Sequence, residues 1–227
     1  VSESLKQDTL RHFEVTKDID VVHNFIDTNV SEKVFTDCQR DLMAEADEKI
    51  ITHISNLRPV KRLNDVVSVF YKIQQSIKAK LIIVGEGPER EAAEQLIKEY
   101  DIAYKVIFVG QSNEIDKILC FSDLFLLPSE AESFGLAALE AMVDGVPVIS
   151  SNAGGLPEVN IHGESGFLSD VGDIDDMAAN ALKIFKDEKT LKEFKERAKK
   201  VAKSFDINTI VPKYESLYQK AIDNIFA

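Results

Sequence analysis

The sequence is poor in several things, and each shortage excludes a class of protein. Lys and Arg number 27 against 39 Asp and Glu, for a net charge of −12. That balance argues against general nucleic-acid binding and leaves no basic patch for a membrane surface. No apolar run approaches membrane-spanning length and no signal peptide is visible, so no membrane association and a cytoplasmic location are expected. The four histidines, His12, His23, His53 and His162, are scattered without the spacing of a zinc site. Asp173, Asp175 and Asp176 form an acidic run that reads as the start of a helix, with Asp173 as its cap, and no metal is assigned. Only two cysteines occur, Cys38 and Cys120. Counting leaves a disulfide between them open, but the expectation is two separate thiols. A dinucleotide fingerprint needs a third glycine after Gly85 and Gly87, and the position holds Arg90 instead, which argues against NAD.

What is present is a chain of 227 residues, 44% of them hydrophobic, enough for one large α/β domain. Its most informative stretch runs from Pro128 to Pro157. Asp123–Leu127 reads as a buried strand and Val146–Ser150 as a second, with a helix expected over Phe134–Val143 and Gly145 placed to end it. A loop that feeds a strand into a helix N-terminus presents free N–H groups and a partial positive charge, which suits an anion or a sugar hydroxyl. Glu132 and Glu140, eight residues apart, frame this helix. Along a helix axis that is roughly 12 Å, too far for a shared-proton dyad or a retaining glycosidase pair. The spacing suits two carboxylates gripping opposite ends of one elongated ligand.

The remaining pattern alternates. Strands are expected at Ile50–Ile54, Lys80–Val84 and Val106–Val109, and helices at Asn64–Ile77, Pro88–Tyr100 and Asn113–Phe121. Repeated βα units with short connections predict a Rossmann-like parallel sheet covered on both faces, with ligands outside the carboxyl ends of the strands. The first strand is followed by Arg58, Lys61 and Arg62, a local basic site in an acidic chain, of a kind that binds a diphosphate. The third strand is followed by Gln111, in a loop where Ser112 or Asn113 can cap the next helix. Gly154 and Gly155 stand where the backbone must approach something closely or take a positive φ. Earlier, Ser2–Phe13 reads as a helix capped by Ser2 or Ser4, Val21–Val22 as a short strand, and 31–47 as polar and weakly helical. Later come a turn and strand over Gly163–Phe167 and helices near Asp175–Phe185, Leu191–Ser204 and Ile207–Phe226, the last with Pro212 near its start.

E-S-F-G-L-A-A-L-E followed by A-M-x-x-G-x-P-V-I and G-G-L-P-E resembles the donor-site signature of the retaining GT-B glycosyltransferases of family 4. The resemblance implies a C-terminal half. Residues 1–24 would then close the N-terminal acceptor domain and form the linker, 25–205 the nucleotide-sugar domain, and 206–227 a helix crossing back. Val1 in place of Met fits that expectation. By resemblance, Glu140 holds the ribose hydroxyls and Glu132 those of the donor hexose. Ser133, Phe134, Gly135 and Leu136, with Gly154 and Gly155, form an amide-lined pocket around sugar and phosphates. Gln111 lies beside the base. Lys61 matches the family lysine on the diphosphate. The family arginine falls on Asn56, so its role does not transfer, and Arg58 stands two residues on as the substitute.

The implied activity is transfer of a sugar from a UDP-sugar, a substrate rather than a cofactor, with retention and without a metal. S-N-L-R-P-V-K-R and N-F-I-D are most similar to the branch that moves N-acetylglucosamine to L-malate in bacillithiol biosynthesis, a small acceptor. The alternatives are a family 4 transferase for a lipid-linked or polysaccharide acceptor, or a UDP-sugar-binding module without turnover. Self-association is left open.

Overall fold

The computed structural model describes residues 1–29, 38 and 40–226. Six strands form one parallel sheet: β1 (Lys49–Ile54), β2 (Ala79–Val84), β3 (Val106–Gly110), β4 (Leu124–Leu127), β5 (Val148–Ser151) and β6 (Gly166–Ser169). Their order is β3-β2-β1-β4-β5-β6. The direction of winding reverses between β1 and β4, and such a switch point opens a crevice at the carboxyl ends of the strands.

The helices are α1 (Glu3–His12), α2 (Arg40–Met43), α3 (Leu63–Gln74), α4 (Arg90–Glu99), α5 (Ile115–Leu119), α6 (Leu136–Val143), α7 (Leu156–Val159), α8 (Ile174–Ile184), α9 (Glu188–Ala202) and α10 (Ile207–Phe226). Side chains alternate along each strand and so sort into two layers. Ile51, Leu81, Ile83, Leu124 and Leu126 face Val66, Phe70, Ile73, Met177 and Ile184 of α3 and α8. Phe125, Leu127 and Val148 face Leu139 and Met142 of α6 and Ala198 and Ala202 of α9. Ile50, Ile82 and Val84 meet Ile118 of α5 and Ala44 beyond α2. Strands β4 and β5 are buried at every residue, and β4 accordingly reads as a continuous apolar run. No helix among the described residues is long and apolar enough to cross a membrane.

Most expected elements are present, displaced by one to three residues at their ends. Ser2 caps α1, its side chain accepting from the Leu5 N–H, and Asp173 caps α8 through the Asp176 N–H. Asp175 and Asp176 occupy the first turn of α8. Two expectations fail, and a third falls largely outside the described residues. The Val21–Val22 strand is absent; the chain there is irregular, and pairing is confined to a single bridge from Ile26 to Asp206. Of the stretch 31–47, residues 31–37 and 39 lie outside the described residues, and α2 occupies part of the rest. Cys38 and Cys120 are not separate thiols but a disulfide, with Cα atoms 6.2 Å apart. They meet because α2 lies over the end of α5. The Arg40 guanidinium donates to the Phe121 carbonyl (2.6 Å) and to buried Asp123 (2.8 Å).

Among the described residues, no buried side-chain nitrogen or oxygen lacks a hydrogen-bond partner. Asn160 donates to the carbonyls of Val148 and Phe167, both at 3.1 Å, and accepts from Ser165, tying α7 to β5 and β6. His53 of β1 is fully buried. Burial lowers its pKa from the ordinary 6.5 to about 4, opposed by the bond to the Leu126 carbonyl and assisted by the Lys61 charge. A neutral buried imidazole favours the fold above the unfolded-state pKa. That contribution is lost as pH falls from about 6.5 towards about 4, and amounts to roughly 3 kcal/mol. Denaturant titrations at pH 7 and pH 4.5 are expected to show the parent losing most of this amount relative to a His53→Gln variant. Equal losses in the two proteins would refute the assignment.

Candidate functional site

The crevice between β1 and β4 is walled by the loops that follow those strands. After β1 the chain enters a left-handed residue, Leu57 (φ 41°), and a single 3-10 turn over Pro59–Lys61 that ends at left-handed Arg62 (φ 52°). After β4 it runs from Pro128 to Gly135. The Glu130 N–H donates to the Val60 carbonyl at 2.8 Å, joining the loops. Beside this bond the Lys61 ammonium pairs with the Glu132 carboxylate, both side chains less than one-fifth exposed. Ser129 donates to the same carboxylate at 2.9 Å. Two residues read separately from the sequence as site candidates thus meet across the switch point.

Glycines set how closely the surrounding loops approach. A Cβ at Gly154 (φ +56°) would lie 2.0 Å from the Glu132 carbonyl oxygen, and one at Gly155 would lie 2.6 Å from that of Ser133. The Gly155 N–H donates to the Glu132 carbonyl at 2.8 Å. The close approach read at Gly154 and Gly155 is therefore to the Glu132–Phe134 backbone. Gly85 and Gly87 press in the same way on Ser55 and on Asn56–Leu57, so the G-E-G-P turn forms the floor beneath the basic loop.

Gly135 takes φ +101°, which the right-handed helix does not allow. Helix α6 therefore begins at Leu136 rather than at Phe134, and Glu132 stands outside it. No side chain caps α6, leaving its first amides open towards the Pro128–Gly135 loop. Leu136 is partly exposed there, and Ser133 is exposed with its carbonyl accepting from the Ser2 hydroxyl. The Phe134 ring points away, 1% exposed, stacked on His23 at 5.8 Å and edge-on to Phe205 at 5.6 Å. Only its backbone can line a site.

Glu140 faces a different wall. It lines a cavity of about 260 Å³ with Ile26, Asp27, Ile115, Asp116, Val143 and Asp144. Burial and then the Asp116 carboxylate raise its pKa. Among the described residues it has no ion pair, so its oxygens are open to hydroxyl donors. Lys61 and Glu132 do not line this cavity. Gln111 is exposed at the end of β3, the edge strand, two strands from β1. Ser112 accepts from the Glu114 N–H at 3.1 Å and does not cap α5. Arg58 and Asn56 are exposed, and Arg58 has no ion pair among the described residues. Arg62 pairs with Asp65 at 2.5 Å.

Sequence reading missed Asp116 and Asp144 beside Glu140, Ser129 beneath Glu132, and Glu158. Glu158, within G-G-L-P-E, accepts the Glu3 and Ser4 amides at 2.8 and 2.9 Å and His23 at 3.0 Å. Burial alone would raise its pKa, but the amides and His23 hold it low. Ser129 was legible, three residues before Glu132 in the same loop. Asp116 gave no signal, because only the fold brings it to Glu140, whereas Asp144, one helical turn after Glu140 at the end of α6, was legible from spacing.

The doubly wound parallel sheet has the GT-B fold, which solved structures share. HepE of Anabaena in complex with UDP and glucose matches with a TM-score of 0.87 at 24% identity, covering 96% of this chain and 62% of that one. Sucrose-phosphate synthase of Thermosynechococcus elongatus matches at 0.88 and 24%, covering 98% and 57%. Residues 36–201 match the family described as glycosyl transferases group 1, and the chain belongs to that family. It is 43% identical over 220 residues to the N-acetyl-alpha-D-glucosaminyl L-malate synthase of Bacillus anthracis, covering 96% of this chain and 58% of that protein. It is 33% identical over 174 residues to an uncharacterized glycosyltransferase of Methanocaldococcus jannaschii, covering 73% and 45%. The chain thus spans about half the length of these relatives.

The acidic cavity has a stability cost whose sign is fixed. Burial and the Asp116 carboxylate, less the Lys199 attraction and with Glu140 adding to it, raise the Asp144 pKa from 3.8 to about 6. Ionising a carboxyl whose folded pKa is raised weakens the fold as pH climbs from about 4 through about 6. Asp144→Asn is expected to stabilise the protein by about 1–2 kcal/mol at pH 7, after solvent screening, and to change little at pH 4. Urea melts at the two pH values measure this, and stabilisation of equal size at both would contradict it.

Proposed function

We propose that this chain supplies the nucleotide-sugar half of a glycosyltransferase that moves N-acetylglucosamine from a UDP-sugar to a small acceptor, L-malate, with retention at the anomeric carbon. The observation that carries the reading is the Lys61–Glu132 pair at the β1/β4 switch point, set in a chain 43% identical to an N-acetylglucosaminyl L-malate synthase. Residues 25–205 form the donor unit, while 1–24 belong with a partner acceptor domain and 206–227 lead back towards it. The acceptor residues lie outside this half, so the chain alone binds donor without turnover.

In this reading the Glu140 carboxylate accepts the two ribose hydroxyls, a neutral-donor task for which an unpaired carboxylate is suited. Gln111 lies towards the base. Glu132 accepts hydroxyls of the donor hexose, and the open amides from Gly135 into α6 face the phosphates. Lys61 leaves Glu132 for the diphosphate, with Arg58 as the second cation in place of the arginine that Asn56 replaces. As the bond from the anomeric carbon to the diphosphate oxygen breaks, negative charge grows on the leaving group. A fixed ammonium beside it lowers the barrier by electrostatic stabilisation, and no metal is required for that task. Departure of Lys61 also frees the Glu132 carboxylate, so phosphate capture and sugar recognition are coupled in one exchange of partners.

Titration calorimetry with UDP and UDP-N-acetylglucosamine tests this. Lys61→Ala, which removes a charge-assisted contact, is expected to weaken UDP by about tenfold or more while sparing uridine. Glu140→Ala is expected to weaken both. UDP binding unchanged in Lys61→Ala would sink the reading.

A further inference from the structure

The basic loop is held in place by a polar chain that starts inside the sheet. The Leu126 carbonyl of β4 can only accept, so the His53 Nδ1, 2.8 Å away, carries the proton. With the ring neutral, Nε2 is then an acceptor. The Ser55 hydroxyl, 2.8 Å from it, donates its single proton there. The remaining lone pairs of that hydroxyl face the Leu57 N–H, which donates to it at 3.2 Å. Every link runs in one direction, from the Leu57 amide through Ser55 and His53 to β4.

The last link sits on a strained residue. Leu57 is left-handed (φ 41°) and fully buried, a conformation costing an L-residue roughly 1–2 kcal/mol. It persists only where the surroundings hold it. Its carbonyl is fixed from the other side by the Glu89 N–H at 3.1 Å, and the Gly87 backbone closes over it. The next four residues are Arg58, Pro59, Val60 and Lys61, so the turn at Leu57 decides whether the Lys61 ammonium reaches the crevice.

We propose that His53, acting through Ser55, is a positioning residue for the diphosphate site: the chain His53–Ser55–Leu57 holds the left-handed turn that delivers Lys61. The proposal rests on the reading of Lys61 as the diphosphate cation. It assigns a role to two residues outside the group that would touch the ligand, and it makes the side chain at position 55 a determinant of phosphate affinity rather than of folding.

The test compares UDP with uridine, since only UDP reports on the basic loop. Ser55→Ala keeps the backbone and deletes the relay. It is expected to weaken UDP by about tenfold, the equivalent of one lost buried hydrogen bond, and to leave uridine within about twofold. Ser55→Thr keeps the hydroxyl and is expected to stay within about twofold of the parent for both ligands. His53→Asn keeps a donor for the Leu126 carbonyl but loses the Nε2 acceptor. Combined with Ser55→Ala it is expected to add no further loss of UDP affinity, because both remove the same link. UDP affinity unchanged in Ser55→Ala, or UDP and uridine weakened equally, overturns the proposal. Lys61→Ala in the same series separates the two failures. If it weakens UDP while Ser55→Ala does not, the diphosphate reading stands and the relay falls. If Lys61→Ala has no effect, both fall.

Discussion

The contact on which the site depends is the ion pair between Lys61 and Glu132, which bridges the place where the winding of the described strands reverses. Each partner comes from a loop at the carboxyl end of a central strand of the sheet, and each loop is constrained from behind. Glu132 is pressed by the Gly154–Gly155 backbone and accepts from Ser129. Lys61 lies between two left-handed residues, Leu57 and Arg62, and its loop rests on Gly85 and Gly87. A partly buried pair of this kind gains little net stability, but removing one member strands the other charge. Its value lies in keeping a cation and an acceptor side by side at a crevice, ready to change partners.

Charge is distributed along the candidate site with opposite signs at its two walls. Around Arg58 and Lys61 the acidic chain concentrates cations. Around Glu140 it concentrates carboxylates, and burial first, then the neighbouring Asp116 charge, raises the pKa values of Glu140 and Asp144. A ligand with phosphates at one end and neutral hydroxyls at the other matches that polarity, which is the physical content of the proposed nucleotide-sugar reading. The segment 22–28 forms part of the acidic wall through Ile26 and Asp27 and is bridged to the start of α10 by the Ile207 N–H to Ile26 carbonyl bond and by Tyr214 to Val22. The acidic wall and the start of α10 are therefore mechanically connected.

How much of this was legible depended on whether the signal was local. The strand Leu124–Leu127 and the helix start at Asp173 were plain, because an unbroken apolar run and a capping aspartate act within a few residues. Lys61, Glu132 and Glu140 stood out through motif spacing. The start of α6 was misplaced by two residues because Gly135 takes a positive φ, which periodicity does not encode. Val21–Val22 had strand composition but lacks a partner strand. The Cys38–Cys120 disulfide and the approach of Asp116 to Glu140 join residues far apart in the chain, and nothing near either end announces the other. His53 appeared only as one of four scattered histidines, since its significance lies in an inward-facing position on β1.

The most direct test of the central claim is a crystal structure of the protein with UDP bound. The account predicts the Lys61 ammonium within hydrogen-bonding distance of a diphosphate oxygen in the β1/β4 crevice, with the ribose hydroxyls on Glu140. A diphosphate lying elsewhere, with Lys61 still paired to Glu132, would contradict it.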